Sequence, residues 1–412
     1  MNKPSNHIPK LRFSEFSSCG PWKAQKLKSF LEPVSREVVK PTSKYLGLGL
    51  RSHGKGTFLK EDVDPAANSM ERLYEVAAGD LIVNITFAWE GAIAIAGAED
   101  EKSLVSHRFP TYQVNSKKVL PGFLRHVIRR PAFVYSLGLI SPGGAGRNRV
   151  MSKKDFLELS VLIPDVSEQQ RISDTLEALD DLIEAETEKL DALKDHKQGL
   201  LLEFFPVKGE TLPKRRFPEF QDPDGWVEKS LVEIADYENG KAYEKDIEED
   251  GSFVVVNARF ISTDGKVRKY SNERYCIASK GDVLMVLSDL PKGRALAKCF
   301  LVDEDEKYAV NQRVSRLTAH SIDSAFLYYA LDRHPFLLAF NDGLNQTHLS
   351  KGSVLECPIA FPLDENEQAE IVAALNSVDE QVTSQAQTVE RLKDHKQGLL
   401  QQLLPVLDEV DG

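Results

Sequence analysis

A chain of 412 residues is longer than one ordinary core needs, and 42% hydrophobic with 28% charged residues is the balance of a globular protein in two domains plus connections. The net charge of −11 argues at first against a polyanionic partner. No apolar run reaches the length of a membrane span, and the polar, proline-containing segment from Met1 to Lys10 lacks a secretory apolar region. The expectation is a cytoplasmic protein with no membrane partner. Its four scattered cysteines (Cys19, Cys276, Cys299, Cys357) have no metal-ligand spacing and read as free thiols.

In chain order, the sequence proves to be written twice. An arm, Pro9-Lys-Leu-Arg-Phe-Ser-Glu-Phe16, returns as Pro213-Lys-Arg-Arg-Phe-Pro-Glu-Phe220 with six of eight positions identical. Gly20-Pro-Trp22 and Asp224-Gly-Trp226 then open two stretches with little obvious similarity. Beneath the divergence lies a common skeleton. Gly79-Asp80 and Gly281-Asp282 are turns feeding buried strands at 81–83 and 283–285, and second strands are expected at 92–96 and 295–300. Helical patterns begin at Phe123 and Phe326. Met151-Ser-Lys153 and Leu349-Ser-Lys351 precede final strands ending at Pro164 and Pro362. The fold class expected is α+β, each domain a mixed α/β unit.

A long helix follows each domain. Ser167 ahead of Glu168-Gln169-Gln170 resembles a capping box, and Asn366-Glu367-Gln368 marks the second start. From Ile172 to Phe204 and from Ile371 to Leu403, seam positions alternate in steps of four and three. Eight of ten are apolar in each copy, and the polar breaks coincide: Glu186 and Lys197, Gln385 and Lys396. Such heptads predict coiled-coil helices that pair within the chain. Pro206 and Pro405 end them. Leu193-Lys-Asp-His-Lys-Gln-Gly-Leu-Leu201 recurs letter for letter as Leu392 to Leu400. The circular placement of the arm, at the start and again after the first helix, favours a pseudo-two-fold antiparallel pair with a domain at each end. Glu186 and Gln385 could meet near the middle, or reach solvent from the seam's edge. The boundaries read as 1–165 for arm and first domain, 166–206 for the first helix, 207–223 for a linker, 224–365 for the second domain and 366–412 for the second helix and tail.

The charge is unevenly spread. Residues 20–165 carry +6, whereas 166–206 carry −7, 366–412 carry −6 and 224–365 carry −7. Much of the acidity therefore lies on the helices, and composition alone does not identify nucleic acid.

The whole chain resembles the specificity subunits of type I restriction-modification systems. The resemblance rests on the Ile163-Pro164…Glu168-Gln169 junction, the Lys-Asp-His-Lys-Gln-Gly-Leu-Leu helix end, the Lys-x-Arg-Phe-x-Glu-Phe arm, and the Gly-Asp and Leu-Ser-Lys segments. It implies two target-recognition domains, each reading half of a bipartite, asymmetric duplex DNA target, and conserved helices that dock methyltransferase subunits, two expected, which methylate adenine in each half-site. Restriction-translocase subunits join them. S-adenosylmethionine, ATP and Mg2+ are then expected on those partners, with no cofactor on this chain. A rod of about 35 helical residues, about 50 Å long, could span about 15 base pairs.

A DNA reader needs cations for phosphates and forked polar groups for base edges. The first domain offers Arg51, His53 and Lys55 in a glycine-bearing turn, and Arg147, Asn148 and Arg149 in a glycine-rich loop followed by Lys153. The second offers Arg259, then Lys266 and Arg268, then Lys292 and Arg294, and a less charged loop with Gln346, His348 and Lys351. His107-Arg108 and Gln312-Arg313 are weaker candidates. Ordinary solvated turns would carry the same residues. Catalysis finds no purchase: there is no Asn/Asp-Pro-Pro-aromatic signature, no GxGxxG or phosphate-binding loop, no Glu-x-Lys triplet and no His-Cys-carboxylate cluster for a metal. The competing class is a tandem coiled-coil scaffold that binds proteins and no DNA, which the acidic second domain favours.

Overall fold

The computed structural model describes residues 7–143, 149–207, 209–221, 225–290 and 293–405. The chain forms two compact units, one of Met1–Glu186 with Thr388–Gly412, the other of Thr187–Gln387. Each unit therefore holds one mixed domain, the first part of one long helix (Val166–Phe204 or Glu365–Leu403) and the last part of the other.

The two units follow one plan. In the first, an antiparallel sheet runs Leu31–Val34, Thr111–Val114, Leu81–Val83, Ile93–Ile95. A second sheet holds Tyr45–Leu50 and Thr57–Val63 as a hairpin, with Gly47 pairing Leu104 in parallel. In the second, the corresponding sheet runs Ala235–Asn239, Val314–Ala319, Val283–Val286, Cys299–Leu301, and Phe253–Val256 pairs Tyr308–Val310 in parallel. Antiparallel ribbons, Lys23–Lys26 with Ser160–Ile163 and Trp226–Ser230 with Pro358–Pro362, return each domain to its long helix.

The repeated Gly-Asp turn has a physical cause. Gly79 and Gly281 sit at φ +84° and +89°, where a side chain is disfavoured. The next aspartate, buried in both units, accepts the N–H of Ala77 (3.0 Å) or Ser279 (2.8 Å) three residues back and pairs with Arg36 or Arg316. The expected strand at 295–300 is shorter than read. It spans Cys299–Leu301, because Ala297 at φ +55° turns the chain just before it. The Ser-Lys segments do not lead straight into strands either. Ser152 and Ser350 accept the N–H of Asp155 and Ser353 and cap short helices, Lys153–Glu158 and Lys351–Leu355, ahead of the last strands.

The capping-box reading of Ser167 is also corrected. The first long helix starts at Val166, with Asp165 O accepting from the N–H groups of Glu168 and Gln169. Glu168 turns inward instead, to Arg12 Nε (2.8 Å), Arg12 Nη2 (2.7 Å) and Trp22 Nε1 (3.3 Å). Glu367 does the same with Arg216 Nε and Nη2 (both 2.7 Å) and Trp226 Nε1 (3.1 Å). The next residue completes the joint. Gln169 donates to Pro164 O and Lys118 O and accepts the Leu120 N–H, while Gln368 donates to Pro362 O and accepts the Asp323 N–H. A buried carboxylate with charged and indole donors in reach gains more there than at a solvent-facing cap.

None of the twenty heptad positions is exposed. In the first unit Ile172 and Leu176 share a core with Leu399 and Leu404; in the second Ile371 and Leu375 share one with Leu200 and Phe204. Rising numbers on one helix meet falling numbers on the other, so the pairing is antiparallel within each unit. Lys396 binds Asp180, and Lys197 binds Asp379 at 2.6 Å. The repeated lysines are therefore seam residues, while His196 and His395 beside them are exposed.

Candidate nucleic-acid interface

One short backbone ladder, present in both units, gathers the loops. The Ile85 N–H donates to Arg108 O (3.0 Å) and the Met151 N–H to Ile85 O (2.9 Å). In the second unit the Leu287 N–H donates to Arg313 O (2.9 Å) and the Leu349 N–H to Leu287 O (2.8 Å). Each ladder sets side by side the loop after the central strand, the loop before the next sheet strand, and the segment leading to the capped short helix. The scaffold is the same; the side chains carried on it differ.

In the first unit the turn at 51–56 joins this group. His53 and Gly54 donate their N–H groups to Glu90 O (2.6 Å) and Gly91 O (2.9 Å), and Ser52 Oγ donates to Glu90 Oε2 (2.8 Å). Gly91 is required there: it has φ +77°, and a Cβ would lie 3.1 Å from Val134 and 3.3 Å from Gly54 N. Arg51 is exposed but folds over the Phe58 ring at 5.3 Å and donates to Thr57 O. His53, at φ +63°, and Lys55 are exposed. Arg149 lies over the Trp89 ring at 5.3 Å, on the turn that receives His53. Lys153, exposed at the start of its helix, lines a hollow of about 270 Å³ together with His107 and Tyr74. Arg147 and Asn148 lie outside the described residues.

Two residues escaped the sequence pattern. Arg125 and Arg129, exposed along helix Pro121–Ile128 and its cap, line a hollow of about 230 Å³ with Lys55 and the backbone of Gly54–Thr57; Glu99 is the acidic residue on its wall. The available signal was their i,i+4 spacing opposite the apolar Phe123, Leu124, Val127 and Ile128.

In the second unit Arg259 is exposed on a short helix, Ala258–Ser262, capped by the Asn257 side chain. Lys266 and Arg268 are exposed in the following loop, with Arg268 Nε donating to Gly265 O at 3.0 Å. An ion pair of 2.7 Å between Lys298 and Asp264 ties that loop to the segment after Arg294, which is itself exposed. Lys292 lies outside the described residues. Gln346 is exposed and donates to Ser288 Oγ at 3.0 Å; His348, exposed, pairs with Ser288 in a two-residue ribbon. Lys351 is exposed above the Tyr237 ring at 5.3 Å. Among the described residues, no group of three or more His, Cys, Asp or Glu side chains is placed to hold a metal ion, and no helix is long and apolar enough to cross a membrane.

Two histidines, His126 buried and His334 half-buried, give the units a pH-dependent share of their stability. His126 sits near Lys396, Asp180, Arg125 and Arg129, and burial followed by Lys396 lowers its pKa to about 4; burial lowers His334 to about 4 as well. Both stay neutral in the folded protein, whereas the unfolded chain takes up protons near 6.5. Their contribution is full above about pH 6.5 and is lost as pH falls toward 4. Urea midpoints measured from pH 7 to pH 4 should fall less steeply in a His126→Phe variant than in the parent. Parallel curves would contradict the assignment.

This geometry defines a modular binding protein, two copies of one domain with divergent polar loops on a common support. The chain belongs to the type I restriction modification DNA specificity domain family, whose profile matches residues 68–195 and 223–394. Its work is DNA specificity in a type I restriction-modification system, without catalysis of its own, and the scaffold reading gains no support. The chain is 23% identical over 355 residues to the type I restriction enzyme MjaVIII specificity subunit of Methanocaldococcus jannaschii, covering 81% of each chain. In fold it is similar to the type I restriction-modification S subunit from M. genitalium, with a TM-score of 0.61 and 15% identity over 97% of this chain and 100% of that one. A chain from work on complex assembly and conformational transition of the type I R-M system gives 0.56 and 20% identity over 93% and 97%.

Proposed function

We propose that each domain reads one half of a bipartite, asymmetric duplex target with an unread spacer between the halves. The duplicated ladder carries this reading: identical backbone supports hold different side chains, so one kind of contact is made to two different sequences. Arg51, His53, Lys55, Arg149 and Lys153 serve the first half-site, with Arg125 and Arg129 beside them; Arg259, Lys266, Arg268, Arg294, Gln346, His348 and Lys351 serve the second. Cations over exposed turns take phosphates, and the amide of Gln346 suits an adenine edge. The outer faces of the long helices dock two methyltransferase subunits, and restriction-translocase subunits complete the assembly in the cytoplasm. S-adenosylmethionine, ATP and Mg2+ act on those partners, and this chain binds none of them.

The test is binding of duplex DNA by the chain assembled with its methyltransferase, measured across a salt series. Removing one phosphate-binding cation should lower the log–log slope by about 0.9. Changing Lys55, Arg125 and Arg129 together to alanine should weaken binding to all sequences alike and flatten the slope by about 2 to 3. Binding that ignores salt would contradict the reading.

A further inference from the structure

The second unit carries two leucines in its recognition loops that solvent reaches almost freely: Leu344 is 80% exposed and Leu290 66%. One exposed leucine needs no explanation. These two are held where they are by aspartates. Asp342 accepts the N–H groups of Leu344 (2.8 Å) and Asn345 (2.9 Å) and the Asn345 side-chain amide (3.0 Å), with Gly343 at φ +70° between them. Asp289 accepts the N–H groups of Leu290 (2.8 Å) and Ala295 (2.6 Å), and a Cβ on Gly293 would lie within 2.1 Å of its carboxylate. These hydrogen bonds hold the backbone at Leu344 and Leu290, and both side chains are exposed there.

The two loops are also joined to each other. Ser288 and Asp289 pair with His348 and Thr347, and Gln346 donates to Ser288 Oγ at 3.0 Å. The leucines thus belong to the element that presents Gln346 and His348, with Arg294 in the Asp289-bound loop. Polar groups of that kind read base edges, and the apolar group offered by a base edge in the major groove is the thymine 5-methyl. On the reading that this domain contacts a half-site, we propose that Leu290 and Leu344 pack against thymine methyl groups in the major groove and supply an apolar part of the specificity. Gln346 and His348 contribute the hydrogen bonds beside them.

The test uses the chain assembled with its methyltransferase subunits and duplexes carrying the half-site assigned to this domain by methylation mapping. Each thymine of that half-site is replaced in turn by deoxyuridine, which lacks only the methyl. Binding by the unaltered complex should weaken about fourfold at one or two positions, as expected for one methyl group returned to water. The Leu290→Ala/Leu344→Ala complex should bind the thymine duplex more weakly and not respond to deoxyuridine at those positions. Equal responses in both complexes, or none in the unaltered one, would overturn the proposal while leaving DNA recognition intact. Failure of the double variant to assemble with the methyltransferase would also overturn it, since the leucines would then face protein. Absence of any sequence-specific binding by the unaltered complex would overturn the half-site reading itself, and this inference with it.

Discussion

Replacing Glu367 with alanine should destabilise the second unit by about 3–5 kcal/mol, and Glu168→Ala should do the same to the first. Each carboxylate is 1–2% exposed, and each arginine partner is 9% exposed. Truncation removes both oxygens from a buried guanidinium that uses two nitrogens on them, and from an indole N–H as well. The loss is therefore the cost of a nearly buried cation deprived of its carboxylate as well as one ion pair. The same joint ties the arm or linker, the opening tryptophan and the start of the long helix, so docking of the helix onto the domain fails with it. Calorimetry should show the melting transition of the altered unit moving down. Replacing the arginine and the glutamate together with apolar residues of similar size should cost much less, because no charge is left behind. A loss below about 1 kcal/mol for either single variant would contradict this account of the joint.

These residues also show what the sequence revealed and what it hid. The duplication was plain in the arm, the nonamer and the heptads, because apolar residues kept at period 3.5 over five heptads specify a helix with a continuous seam for a second helix. The Gly-Asp turns were readable for a similar reason: a left-handed glycine followed by a self-capping aspartate leaves a local mark. The Arg12–Glu168 joint was not readable as such. Its members are 156 residues apart, and Glu168 fits a local capping pattern equally well. Lys197 and Lys396 read as polar breaks in the seam, and each answers an aspartate on the opposite helix, a pairing that no local pattern carries. Arg125 and Arg129 left only an i,i+4 spacing opposite apolar residues, because their importance depends on which loop the fold sets beside the helix. On the proposed reading, choice of bases is hidden for the same reason: it would depend on how loops of different length converge on one ladder.

Exchange of residues 20–165 for the corresponding domain of another specificity subunit should change one half of the modified sequence completely and leave the other half untouched. The first domain meets its long helix through few kinds of contact: the Trp22 indole on Glu168, the backbone of Lys118 and Leu120 on Gln169, and the apolar core containing Ile172 and Leu176. An incoming domain that keeps a tryptophan at the place of Trp22, the backbone groups at Lys118 and Leu120 and the apolar face toward Ile172 and Leu176 keeps those joints. The second unit, with its own Arg216–Glu367–Trp226 joint and its own core, is not altered by the exchange. The central claim, that each domain reads its half-site alone, is tested most directly by mapping methylated adenines genome-wide in cells carrying the parent or the exchanged chain with the same methyltransferase. The account predicts two motifs identical in one half and unrelated in the other. A motif altered in both halves, or in neither, would contradict it.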